Sequence, residues 1–164
     1  MLLYHFTERQ LLPQILATGL SRGAVPVAPG RWLNAVWLTT DGGPAAHGLE
    51  SGGAFMTEAQ RQQAYEWTGT LPPPGARLPK SAEARIAVDI PPTDRNLHEW
   101  LPWARRHLSP EWLAQLHPVG GCNLNKARTW RLYFGVIDPS QFADVETQDE
   151  PRAVERPGAA RISG

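Results

Sequence analysis

The residues of this chain that could carry chemistry are five histidines, one cysteine and a scatter of carboxylates and cations. His5, His47, His98, His107 and His117 show no tight ligand spacing, and Cys122 has no second cysteine. The close pairs of ligands that make a zinc site are therefore missing, and no metal is expected. There is no phosphate-cradling Gly-Lys-Ser/Thr loop and no G-x-G-x-x-G after a strand. No serine sits on a sharp strand-to-helix elbow. Cys122 follows Gly120-Gly121 in a loop with no base nearby in sequence. What remains is "YHFT", Tyr4 to Thr7, at the end of the first apolar run. An imidazole there can hydrogen-bond a ligand hydroxyl, and the Thr7 hydroxyl can serve the same ligand.

A second group is cationic. Lys80, Arg85, Lys126, Arg128 and Arg131 could meet phosphates, and "NKARTWR" sets three of them around Trp130. The same run also reads as a solvated strand edge. Alternation along a strand puts Trp130 and Arg131 on opposite faces. "WLPWARRHL" mixes tryptophan with arginine, a nucleic-acid signal only if the residues share an exposed face. A core helix with exposed Arg105 and Arg106 is the simpler expectation.

The elements that must hold these residues follow from periodicity and punctuation. Leu2 to Phe6 reads as a strand. Thr7 and Gln10 have capping-box spacing ahead of a helix through Leu11, Leu12, Ile15 and Leu16, with Pro13 in its first turn. Gly19 stops that helix and Leu20 packs back on it. Ser21 to Leu33 reads as loop and Ala35 to Thr39 as a strand buried on both faces. A glycine-rich loop follows over 41–53, then a polar helix over Phe55 to Trp67. "GTLPPPGARLP" excludes regular structure because proline lacks a donor and fixes φ. Ala84 to Ile90 alternates as a strand. "NLHEWLPWARRHL" predicts a helix with Leu97, Leu101, Ala104 and Leu108 on one stripe. Ser109 caps a second helix beginning at Pro110. "TWRLYFGVI" is a strand, Asp138-Pro139-Ser140 a turn, and "QFADVE" an edge strand.

Length and composition bound the rest. A chain of 164 residues suits one domain with a real core. Sixteen acidic and sixteen basic residues balance, which counts against nonspecific attraction to nucleic acid or anionic membrane. A single cysteine forms no internal disulfide and fits a reducing cytoplasm. No signal peptide and no membrane-length apolar run is evident. The expected division is a domain over 1–146 and a loose polar tail over 147–164.

In order, "YHFT", the Gly19-Leu20 helix end and "VWLTT" (36–40) resemble the ADP-ribosyltransferase-like superfamily over the first forty residues. "WRLYFGVIDPSQF" resembles its last strand more loosely. The RNA 2′-phosphotransferases of the same fold also begin with His-x-Thr and a Gly-Leu helix end. The resemblance implies a single α+β domain: a split mixed sheet with flanking helices and long loops. It implies NAD as substrate, with ADP-ribose passed to a protein or nucleic-acid acceptor, or NAD hydrolysed, as in toxin-like cytoplasmic enzymes. His5 would orient the ribose and Thr7 support it. Trp37 or Thr39 stands where the family often has tyrosine; Trp37 would stack on nicotinamide, unless it belongs to the core. Lys80, Arg85 or Arg128 would bind the diphosphate. The family's glutamate motif is not matched. Glu146 after the last strand is the candidate carboxylate, with Glu83 and Asp89 flanking the third strand. That gap raises two alternatives: RNA 2′-phosphate transfer to NAD, and a catalytically inactive domain that binds a nucleotide or a partner. Membrane binding is not implied, and the oligomeric state is left open.

Overall fold

Leu2–Thr7 forms strand β1 at the centre of the sheet, where its alternating residues serve two different layers. The computed structural model describes residues 1–49, 52–119 and 124–147. After β1 come a short 3-10 turn and helix α1 (Leu12–Thr18), then β2 (Ala24–Ala28), β3 (Arg31–Asn34) and β4 (Val36–Thr39). Helix α2 (Glu58–Thr68) and β5 (Ala84–Asp89) follow, then β6 (Leu97–Glu99), α3 (Trp100–His107) and α4 (Pro110–Val119). A short helix α5 (Leu124–Ala127), β7 (Trp130–Tyr133) and β8 (Phe142–Thr147) complete the described chain. The main sheet has the order β6-β7-β4-β1-β5-β8, and β2-β3 is a separate hairpin.

The single-domain α+β class with flanking helices is as expected. The expected mixture of strand directions is not found: every pairing among the described strands is antiparallel. One face of the sheet carries Leu3, Val36, Leu38, Ile86 and Val88 against Leu12 and Ile15 of α1. Leu20 joins this layer through reciprocal backbone bonds with Ile137. The other face carries a tryptophan-rich layer. Trp37 meets Trp100 at 4.8 Å and Trp130 at 5.6 Å between ring centroids, both edge-on. Trp100 continues to Trp103 at 6.0 Å. Two indoles clip the hairpin onto this layer: Trp37 Nε1 donates to Ala24 O at 2.9 Å and Trp112 Nε1 to Pro26 O at 3.0 Å.

Several local expectations change. Thr7 caps nothing, because it is the last residue of β1 and pairs with Ala84. Ser21 to Leu33, expected as loop, contains most of a hairpin, although proline is unusual inside a strand. A register irregularity between Pro26 and Ala28 accommodates that proline. Leu97 to Glu99 leaves the predicted helix and pairs with β7, supplying the sheet's edge strand. The helix then begins at Trp100 and buries Trp100, Trp103 and Ala104 rather than a stripe starting at Leu97. Helix α2 starts one turn later than expected, at a full capping box between Thr57 and Gln60. Thr147 belongs to β8, paired with Ala84, so the last strand takes in the first residue of the expected tail. The rest of the tail, and the loop at Gly120 to Cys122, lie outside the described residues.

The 21–23 segment that leads into the hairpin is held against the start of β4. Ala35 N donates to Gly23 O, and Asn34 ties Gly23 N and Ser21 O to its own side-chain amide. A Cβ at Gly23 would collide with the Ala35 carbonyl oxygen. Gly23→Ala is therefore expected to destabilise the protein by about 1–3 kcal/mol, as for other steric insertions into tight packing. Urea unfolding checks this; an unchanged midpoint would mean that the crossing is not tight.

Candidate functional site

β1 is paired with β5 along its whole length, from Leu2↔Asp89 to Thr7↔Ala84. On its other side it makes a single register pair with β4, Tyr4↔Thr39. Beyond that pair the two central strands part. The gap is crossed by a side chain: His5 Nδ1 lies 2.9 Å from Trp37 O. A carbonyl oxygen only accepts, so Nδ1 carries the proton and donates. Burial holds the His5 imidazole below its ordinary pKa, while the bond to Trp37 acts in the opposite direction. The neutral ring therefore presents Nε2 as an acceptor, and Nε2 has no hydrogen-bond partner among the described residues.

His5 borders two pockets. One, of ≈ 340 Å³, has walls of Tyr4, Phe6, Trp37, His47 and Trp130, with Thr39 and Ser81 as polar contributors. The other, of ≈ 130 Å³, lies toward α1 and holds Thr7, Gln14, Ser21 and Arg22. Alternation explains the division. His5 and Thr7 share the α1 face of the sheet, while Tyr4 and Phe6 share the tryptophan face. His5 and Trp37 are thus brought together, and Thr39 lines the same aromatic pocket. Thr7 does not join Trp37 and Thr39; it meets His5 in the smaller pocket.

Trp37 satisfies both expectations at once, since it is packed in the tryptophan layer and forms a pocket wall. Thr39 is tied into a chain of hydroxyls. Asp41 N donates to Thr39 Oγ1 at 3.0 Å, and the hydroxyls of Thr39 and Thr129 lie 2.7 Å apart. Thr129 Oγ1 gives its proton to Lys126 O at 2.7 Å, so Thr39 must be the donor to Thr129.

The cations and the carboxylate fall elsewhere. Arg85 donates to Gly42 O at 2.7 Å and lies 2.6 Å from Glu146 Oε2. Its guanidinium also sits 5.1 Å over the Tyr4 ring, at the margin of the aromatic pocket. Glu146 is on edge strand β8, outside the pocket lining. Lys80 pairs with Glu83 at 3.7 Å. Arg128 is exposed, beside Leu101 and Arg105, and lines neither of the pockets at His5. Trp130 and Arg131 do face opposite ways: Arg131 bonds the Arg128 and Trp130 carbonyls and pairs with Glu99.

His47 is the residue that sequence reasoning missed. It is 9% exposed, in the glycine-rich loop. Trp130 Nε1 donates to its Nδ1 at 2.8 Å, which places the proton of the neutral ring on Nε2. Nε2 faces Asp41 Oδ2 at 3.4 Å. Asp41 is held below the usual carboxylate range, first by its hydrogen bond from Lys126 and then by Gly43 N. Lys126, Asp41, His47 and Trp130 thus fasten the loop to the sheet and complete the pocket wall. The only available signal was an aspartate six residues before a histidine in a loop, which is not specific.

No group of three or more His, Cys, Asp or Glu side chains among the described residues is arranged to hold a metal ion. No described helix is long and apolar enough to cross a membrane. Compared with protein-family models, curated proteins and solved structures, the chain finds no match.

The His5 environment has a pH consequence. Its folded pKa is below the unfolded value of 6.5, so the contribution is fully present above 6.5. It is lost as pH falls from there toward the folded pKa, and is constant below it. His5→Asn keeps a donor for Trp37 O and removes the titration. The stability difference between parent and variant, from urea unfolding across pH 4.5–8, should shift against the parent in the acid half of that range. A difference constant with pH would show that His5 is not desolvated.

Proposed function

We propose that the chain binds NAD at the parting of β1 and β4 and transfers its ADP-ribose to a macromolecule or to water. The observation that carries this reading is the His5 ring. Its Nδ1 is committed to Trp37 O, and its Nε2 is left as an acceptor beside an aromatic pocket large enough for a flat ring. A ribose hydroxyl donating to Nε2 would place the nicotinamide among Trp37, Trp130 and Phe6. The resemblance over the first forty residues supports the choice of NAD over other nucleotides, and a cytoplasmic setting, where NAD is available, accords with it.

Breaking the nicotinamide–ribose bond builds positive charge on the ribose, which a carboxylate stabilises. Glu146 is the candidate for that role, and it reaches the pocket margin only through Arg85. A second reading, a nucleotide-binding domain without catalysis, is favoured by one specific observation: no carboxylate among the described residues lines the aromatic pocket.

Two measurements separate these readings. NAD titration by calorimetry reports binding, and nicotinamide release with and without protein, RNA or DNA acceptors reports transfer. His5→Ala should weaken NAD binding by about 1–3 kcal/mol, the range for one lost hydrogen bond at a buried group. The rate should fall further if the ribose is misplaced. Equal NAD binding by parent and variant would remove His5 from the site. Binding without release under every acceptor would leave the non-catalytic reading.

A further inference from the structure

The smaller pocket at His5 has a composition unlike the aromatic one. It holds a guanidinium, an amide and hydroxyl groups, and no acidic residue among the described ones lines it. Thr7, at its base, is 5% exposed, yet its hydroxyl makes no hydrogen bond among the described residues. The Thr7 side chain is packed, but its Oγ1 is open to the pocket with its bonding capacity unspent. Arg22, at the mouth, is exposed and has no ion-pair or hydrogen-bond partner among the described residues. Lys80, Arg85, Lys126 and Arg131 are each paired with a carboxylate.

We infer that this pocket is an anion subsite in which Arg22 and the Thr7 hydroxyl hold a phosphate of the nucleotide that His5 also contacts. The assignment rests on the nucleotide reading above and replaces Lys80, Arg85 and Arg128 as the phosphate ligands. A volume of ≈ 130 Å³ accommodates a phosphate-sized group. The 21–23 segment that carries Arg22 is held in place by Asn34 and by Ala35 N. Gln14 of α1 also lines the pocket. The last turn of α1 would repel an anion through its free carbonyls. Two of those are occupied, Gln14 O by Thr18 Oγ1 and Ile15 O by Gly19 N. Arg22 adds a full positive charge at the same place.

The probe is inorganic pyrophosphate, titrated by calorimetry at low salt into the full chain, followed by NAD. Charge-assisted bonds of this kind are worth enough that Arg22→Ala should weaken pyrophosphate binding at least about tenfold. Thr7→Val, which preserves shape, should weaken it less. Arg128→Ala should leave it unchanged, and thermal melts confirm that the variants are folded. Pyrophosphate binding that depends on Arg22, in a protein that ignores NAD, upholds the subsite and removes the NAD reading. NAD binding that is indifferent to Arg22→Ala, with no pyrophosphate binding, overturns the subsite and leaves the NAD reading intact. Pyrophosphate binding lost equally in Arg128→Ala also overturns it, because the attraction would then be general.

Discussion

The parting of β1 from β4 is the constraint on which the rest of the molecule depends. Two central strands that separate after one pair would strand backbone donors and acceptors in the interior, each costing about 1–3 kcal/mol if unmade. The chain avoids this by anchoring each strand from its outer side. β1 is paired with β5 over six residues and β4 with β7 over four, so both are held without each other. On the inner edge, substitutes are found: His5 takes Trp37 O, and Gly23 O takes Ala35 N. A gap in the sheet is thereby kept open without orphaned groups at these positions. The same histidine that closes the account on the backbone is the one left with a free acceptor.

The tryptophans follow from that gap. A split sheet has a weaker inner seam, and the layer behind it must be stiff and large. Trp37, Trp100, Trp103 and Trp130 supply area and edge-on contacts at the same place. Their indole donors then need acceptors. Trp37 and Trp112 use carbonyls of β2, which fixes the hairpin, and Trp130 uses His47, which fixes the glycine-rich loop. Each indole bond thus joins an element that the ladder does not reach. The hairpin in turn sets the 21–23 segment and hence the second pocket.

What was legible in the sequence was what local rules decide. The alternation of β5, the apolar run of β4 and the stop at Gly19 each depend on a few neighbouring residues. Gly19, with φ 86°, ends α1 by donating to Ile15 O. The misread elements are those decided by distant partners. Leu97 to Glu99 has a helical pattern with the residues after it, but the free edge of β7 takes it as a strand. The hairpin at 24–34 carries a proline whose carbonyl is claimed by an indole 86 residues away. In the site, His5 with Trp37 was an expectation of the resemblance, and the structure sets them on neighbouring strands. Thr7 was grouped with Trp37 because strand alternation was not carried from one strand to the next. His47 was invisible, since nothing in a glycine-rich loop announces that an indole will seek its Nδ1.

Charge shows why position outweighs composition here. The chain is neutral, and several of its cations spend their charge on the protein itself. Lys126 secures Asp41, Arg85 secures Glu146 and Gly42, and Arg131 joins β7 to β6 through Glu99. A cation so engaged offers a ligand little, because the ligand must first displace a carboxylate already in place. A run of basic residues around Trp130 therefore says less about ligands than its density suggests. An arginine and an unbonded hydroxyl that line one pocket say more, since neither is engaged by the protein. Thr7 and Arg22 line the smaller pocket that His5 also borders, so these unengaged groups meet at the histidine that spans the gap.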